Sequence, residues 1–233
     1  MEGMRVGGTI PLSSLDYPGV LAAVVFCQGC PWRCGYCHNA ALREIGSGAP
    51  ETDFDQFLRW LEGRRGLLDA VVFSGGEPTL QPGLVAAMTA VRAMGFGIGL
   101  HTAGIFPRAL ADVLPLCDWV GLDIKAPRAR YARVSGVIGG DRAAFASLGL
   151  LRESKVAYET RTTWHPDLFD ESQLLRLACE LDEQGVRTWA VQAFRPQGCT
   201  DAGLAAAGQT VFPTDLAERL QAAAPHLTLS LRD

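Results

Sequence analysis

The sequence predicts an α/β protein whose mostly parallel sheet curls into a partial (β/α)6, TIM-like barrel. Two observations carry this. Short apolar runs rich in β-branched residues alternate with stretches of helical periodicity along the whole chain. The chemically unusual residues follow those runs directly, which is where parallel α/β folds place their ligands. A chain of 233 residues suits one such domain, with a core over about 20–196 and a C-terminal helix and strand over about 209–231.

The elements follow in order. Val20–Phe26 is a continuous apolar run, as in a strand buried on both faces. After a cysteine-rich loop, Phe54, Phe57, Leu58 and Leu61 recur on one helical face, with Asp53 as N-cap and Gln56 three residues on. Asp69–Phe73 is the second strand. Pro82 is placed to open the next helix and Gly95 to close it. Phe96–His101 is a strand, Pro107–Val113 a short helix and Asp118–Lys125 the fourth strand. Asp141–Leu151 reads as a helix and Val156–Thr163 as a strand. Asp170 caps a helix with Leu174, Leu177, Ala178 and Leu181 on one face, stopped near Gly185. Arg187–Phe194 is the sixth strand. Gly203–Gly208 reads as a loop, Pro213–Ala223 as a last helix and Leu227–Leu231 as a terminal strand.

Composition narrows the function class. Hydrophobic residues make up 48% and charged residues 20%, as in a globular chain. A formal net charge of −4 gives no electrostatic reason to expect nucleic acid. Apolar runs such as Val20–Phe26 are far too short to span a bilayer. Met1–Gly8 lacks the basic-then-apolar order of a signal peptide, so a cytoplasmic protein is expected. Arg128–Arg133 is a small basic patch, read as a solvated face or a contact for an acidic surface.

Seven cysteines in a cytoplasmic chain do not read as a disulfide framework, and four of them fall within Cys27–Cys37. Cys117, Cys179 and Cys199 are scattered and read as small buried residues. From Cys30 the spacing is Cys-x3-Cys-x2-Cys, through Cys34 and Cys37. Thiolates suit iron–sulfur clusters, zinc or copper(I). Three thiolates on a four-iron cluster leave one iron open to bind a substrate or cofactor. Four would make a closed zinc or ferredoxin-like site. Cys27 is the candidate fourth, although its place at a strand end also suits a residue packed into the core.

Cys30-x3-Cys34-x-Tyr36-Cys37 matches the radical S-adenosylmethionine (radical SAM) signature, and Gly75-Gly76-Glu77-Pro78 after the second strand resembles the SAM-binding motif of that superfamily. The resemblance covers about Gly8 to Pro196. Tyr36-Cys37-His38-Asn39 resembles the activating enzymes of glycyl-radical enzymes. Leu12–Gly19 running into Val24–Cys30, Leu122–Pro127 and Arg161-Thr162-Thr163 are similar to activating proteins of anaerobic ribonucleoside-triphosphate reductase. No second cysteine-rich insert lies between the first loop and the second strand, unlike activases with additional ferredoxin-type clusters.

The resemblance implies a 4Fe–4S cluster held by Cys30, Cys34 and Cys37, with SAM chelating the fourth iron. It implies reductive cleavage of SAM to methionine and a 5′-deoxyadenosyl radical, which takes a hydrogen from a backbone glycine of a partner enzyme. The implied partners are a glycyl-radical enzyme, anaerobic ribonucleoside-triphosphate reductase first, and a flavodoxin- or ferredoxin-type electron donor. Gly75 and Gly76 are expected to let the backbone approach the methionine part of SAM, and Glu77 to accept from its ammonium. Tyr36 and His38 are expected against the cluster or adenine, and Thr102 in the SAM site. Lys125 or Arg161 pairs with the SAM carboxylate, or each belongs to an ion pair; Asp123 binds ribose, a cation or a nearby lysine. Some activases bind a monovalent cation through an Asp-Thr-Asn-Gly stretch. The matching stretch here is His101-Thr102-Ala103-Gly104, and imidazole is a poor ligand for a hard cation, so that site is expected to be absent or altered. Two other readings stay open: a radical SAM enzyme acting on a small molecule, for example a deazapurine synthase, and a zinc-bound non-catalytic protein.

Overall fold

The computed structural model describes residues 3–45 and 53–233. Its sheet has eight strands in sequence order: β1 (Val6–Ser13), β2 (Ala22–Cys27), β3 (Ala70–Gly75), β4 (Gly97–Thr102), β5 (Trp119–Asp123), β6 (Ala157–Trp164), β7 (Thr188–Ala193) and β8 (Thr228–Arg232). β1 pairs antiparallel with β2, and every later neighbour pair is parallel. β8 and β1 are the two edges of the sheet, so the barrel is open, as expected. It is longer than six strands. The terminal strand joins it in parallel to β7, and β1 lies in a segment to which the sequence reading assigns no element. β1 carries Gly7, Gly8 and Pro11, residues depleted from strand interiors, and an edge position tolerates a proline that has no N–H to give.

The helices are α1 (Phe54–Glu62), α2 (Leu84–Ala93), α3 (Pro107–Val113), α4 (Arg128–Ser135), α5 (Gly140–Glu153), α6 (Glu171–Glu183), α7 (Ala202–Ala207) and α8 (Leu216–Ala223). Several starts differ from the sequence reading. Gly83, not Pro82, precedes the first turn of α2, and α8 begins three residues beyond Pro213. The Asp53 carboxylate accepts from Asp55 N, without a reciprocal bond from Gln56. The expected loop at Gly203–Gly208 is mostly helical, because the Asp201 side chain caps α7 by accepting from Gly203 N and Leu204 N and alanine has the best helix propensity. The basic patch is α4, which buries Tyr131 and Val134 and anchors Arg128 to Glu180 at 2.6 Å.

Asp170 caps α6 with a full capping box: its carboxylate accepts from Gln173 N, and the Gln173 side chain accepts from Asp170 N. Asp170→Ala should therefore lower stability by removing this cap, read as a lower midpoint in denaturant unfolding with an unchanged slope.

Alternation along the strands separates two apolar environments. Ala23, Val25 and Cys27 of β2 belong to the large core shared with the helices. Ala22 and Val24 face the other way, into a second cluster with Ala70, Val72, Tyr17, Val20 and Phe26. This second cluster is the barrel interior. The loop between β1 and β2 plugs it: Tyr17 stacks on Trp119 with ring centroids 5.2 Å apart. Gly99 makes room, since a Cβ there would lie 3.2 Å from the Tyr17 ring.

Candidate active site

A cavity of about 330 Å³ opens at the C-terminal ends of the parallel strands, and Cys30, Cys34 and Cys37 all line it. The loop that carries them leaves β2 through Gly29, whose φ of +106° is open to glycine at little cost. Gly29 N then donates to Leu42 O at 2.7 Å and Cys30 N to Arg43 O at 3.1 Å. Arg33 N is tied to Ser135 O at 3.0 Å, and Cys37 N to Cys34 O at 3.3 Å. Every cysteine in the chain is a free thiol. Burial pushes the Cys30 thiol up to about 11 and the Cys34 thiol upward as well. Both are protonated at neutral pH, so ligating a metal has to displace their protons.

Cys27 is not part of this wall. It is fully buried among the helix-facing residues of β2, and burial, then the nearby Glu77, drives its thiol far above the ordinary range. A four-thiolate site built on Cys27 would need β2 to reverse its alternation. Among the described residues, no three His, Cys, Asp or Glu side chains converge to hold a single metal ion.

The Gly-Gly turn is built into the same loop. Gly75 has φ +105°, and a Cβ there would meet Cys27 N at 2.5 Å; one on Gly76 would meet Gly29 O at 2.3 Å. Gly76 N donates to Cys27 O and Glu77 N to Gly29 O, both at 2.8 Å. The glycines line the cavity, yet what forbids a side chain on them is the backbone of the cysteine loop.

Glu77 is not among the residues that line the cavity. Its side chain is fully buried behind the wall, and its carboxylate accepts four hydrogen bonds. Oε1 accepts from Thr79 N at 3.1 Å, Thr79 Oγ1 at 2.5 Å and Thr102 Oγ1 at 2.7 Å, while Oε2 accepts from Ala103 N at 3.0 Å. Glu77 joins the Gly-Gly turn to the end of β4. The other expected cofactor residues, Tyr36, His38, Thr102, Asp123, Lys125 and Arg161, do line the cavity.

A charged cluster lines the same cavity. Asp123 Oδ2 is 3.3 Å from Lys125 Nζ, and Asp123 Oδ1 is 3.4 Å from Arg161 Nε. Burial raises the Asp123 carboxyl, but the two cations outweigh it and hold the group below its usual range. Lys125 Nζ also sits 5.5 Å over the Tyr36 ring. Arg161 Nε is buried and has no hydrogen-bond acceptor. Gly121 leaves space for that guanidinium, since a Cβ would lie 2.5 Å from Arg161 Nη2.

His101 ties the cavity floor together. Its Nε2 is 2.6 Å from the Asp16 carbonyl, so Nε2 carries the proton and Nδ1 accepts from Ser74 Oγ at 3.1 Å. Burial, then the Arg161 charge, lowers its pKa to about 3. The unfolded chain binds that proton near the ordinary value of about 6.5. Between those values the unfolded state holds more protons, so the stability contribution of neutral His101 is lost as pH falls. The stability of the wild type should thus rise by up to about 1 kcal/mol per unit from about pH 5 to pH 6. His101→Gln should flatten that slope, read by denaturant unfolding across the range.

Sequence reasoning missed Asp16, Ser74, Thr163 and Gln192, which also line the cavity. Gln192 and Thr163 pair across β6 and β7, and period-2 alternation from Arg161 and Ala190 finds them. Asp16 comes from the plug loop, and no local pattern places it.

Comparison with known proteins adds five findings. A family model described as the radical SAM superfamily matches residues 24–178. A candidate glycyl-radical enzyme activating enzyme of Methanocaldococcus jannaschii is 29% identical over 205 residues, covering 84% of this chain and 82% of that one. The pyruvate formate-lyase-activating enzyme of Clostridium pasteurianum is 33% identical over 126 residues, about half of each chain (52% and 52%). Among solved structures, Streptococcus suis SuiB bound to S-adenosylmethionine superposes with a TM-score of 0.64 at 13% identity, over 88% of this chain and 48% of SuiB. QueE from Escherichia coli superposes with a TM-score of 0.55 at 17% identity, over 98% and 93%. At such identities these two likenesses speak to the fold.

Proposed function

This chain belongs to the radical SAM superfamily, and on that premise we propose that it is an activase that generates a glycyl radical on a partner enzyme. The superfamily uses a 4Fe–4S cluster and SAM, and the residues present fit both. Cys30, Cys34 and Cys37 would hold three irons and leave the fourth for SAM, because Cys27 is turned into the core. That arrangement of thiols is the observation that carries the radical reading. Lys125 and Arg161 would take the SAM carboxylate, Arg161 through the Nε that now lacks an acceptor.

When bound, the cluster and SAM supply one-electron cleavage of the sulfonium–C5′ bond and a primary alkyl radical. The protein's own residues orient and enclose. Asp123 holds both cations in place. Buried Trp32 and Tyr36 wall off water beside the thiols. His101, neutral, ties the floor without adding charge. The whole chain would act as one radical SAM domain in the cytoplasm, where a flavodoxin- or ferredoxin-type donor supplies the electron.

The glycyl target is supported by the likeness to the archaeal relative over most of both chains. The Leu12–Gly19, Leu122–Pro127 and Arg161–Thr163 stretches favour anaerobic ribonucleoside-triphosphate reductase as the partner. The test is anaerobic incubation with that reductase, SAM and reduced flavodoxin, followed by electron paramagnetic resonance. A glycyl-radical doublet on the reductase is expected. SAM cleavage with no radical on the reductase would move the reading toward another glycyl-radical enzyme or a small-molecule substrate.

A further inference from the structure

Four consecutive residues after β7, Gly198 to Asp201, lie against the cysteine loop, and the mechanism above does not use them. Gly198 has φ +75°, and a Cβ there would come within 2.2 Å of the His38 carbonyl oxygen. The Cys199 thiol donates to Gly35 O at 3.3 Å. Thr200 Oγ1 accepts from Arg43 Nη2 at 3.3 Å, and Arg43 Nη1 reaches Cys34 O at 3.4 Å. A Cβ on Gly35 would sit 3.3 Å from Asp201 Oδ2. Asp201 thus covers Gly35 with one carboxylate oxygen while the other caps α7.

The placement matters because residues 28–39 contain no strand or helix. A ligand loop of this kind must be held by its neighbours if it is to present thiols in one geometry. The first part is held by the short turn at Ala40–Arg43 and the middle by Ser135. The carbonyls of Gly35 and His38, on either side of Cys37, face the segment after β7.

We infer that Gly198–Asp201 is a clasp that positions the Cys34–Cys37 half of the loop and shields it from solvent. This deepens the radical SAM reading and rests on it only where the cluster is concerned. The clasp residues are positioning residues: they act on the loop, not on SAM or substrate. Gly198 is required there because any side chain would push the turn off His38. Cys199 and Thr200 add one side-chain hydrogen bond each.

The test compares wild type with Gly198→Ala and with a milder double variant, Cys199→Ala/Thr200→Val. All are reconstituted with iron and sulfide anaerobically. Amide hydrogen exchange over residues 33–39 is one readout, and the lifetime of the visible iron–sulfur absorbance in air is the other. Losing one neutral hydrogen bond changes a local opening equilibrium by about fivefold. Exchange over 33–39 should therefore accelerate about fivefold or more, with peptides from β3 to β5 unchanged, and the absorbance should bleach faster. Unchanged exchange over 33–39 in both variants overturns the clasp. If Gly198→Ala also loosens the core strands, the double variant decides. A wild type that takes up no iron counts against the radical SAM reading, while the exchange comparison on the iron-free chain still tests the clasp.

Discussion

Cys34→Ala should take up far less iron than wild type on anaerobic reconstitution and should lose SAM cleavage altogether, while Cys27→Ala keeps both. The two residues lie in one short segment and are both thiols, so the contrast isolates geometry from composition. Cys34 lines the cavity beside Cys30 and Cys37. Cys27 lies on the helix-facing side of β2 with Ala23 and Val25, where removing its sulfur leaves a small void costing about 1–2 kcal/mol. The expected profile is a brown, active and slightly less stable Cys27→Ala, against a folded and nearly colourless Cys34→Ala. Iron content per chain and the yield of 5′-deoxyadenosine check it. Equal loss in both would mean that Cys27 reaches the cluster and that the thiol wall is wrongly drawn.

Glu77→Ala should be the most destabilising single change at the site, at about 3–5 kcal/mol. Thr79 N, Thr79 Oγ1, Thr102 Oγ1 and Ala103 N all donate to this one buried carboxylate. Truncation leaves them without an acceptor, away from water, and the turn that spaces Gly75 and Gly76 against the cysteine loop loses its anchor. Glu77→Gln keeps the shape but turns an amide N–H₂ toward at least one existing donor, so about 1–2 kcal/mol is expected. Denaturant unfolding gives both values. A surface-like cost below about 0.5 kcal/mol for Glu77→Ala would contradict its role as the anchor, and a SAM affinity defect without a stability defect would restore it to the binding site.

Much of this was legible in the sequence, for physical reasons. β2, β3 and β5 are buried on both faces, and such strands appear as largely apolar runs. The cysteine spacing and the Gly-Gly turn are local, so their motifs survive as text. β1 was not legible, because Gly7, Gly8 and Pro11 break every strand pattern and an edge strand accepts them. The inward turn of Glu77 was not legible, because the motif shows a carboxylate near a ligand site but not which way it turns; that turn depends on Thr102 and Ala103, some 25 and 26 residues away. The contact of His101 with Asp16 spans 85 residues, and only the tertiary fold brings them together. A side chain on Gly75 or Gly76 would strike protein backbone before any ligand arrives, a restriction the motif alone does not reveal.

The central claim is that this cavity performs reductive SAM cleavage on a three-thiol cluster. The most direct measurement is anaerobic reconstitution with iron and sulfide, reduction with dithionite, and assay of SAM conversion to methionine and 5′-deoxyadenosine. Reductant-dependent formation of both products by a brown protein is the predicted result. A folded, colourless protein that retains zinc, takes up no iron and cleaves no SAM would contradict the claim.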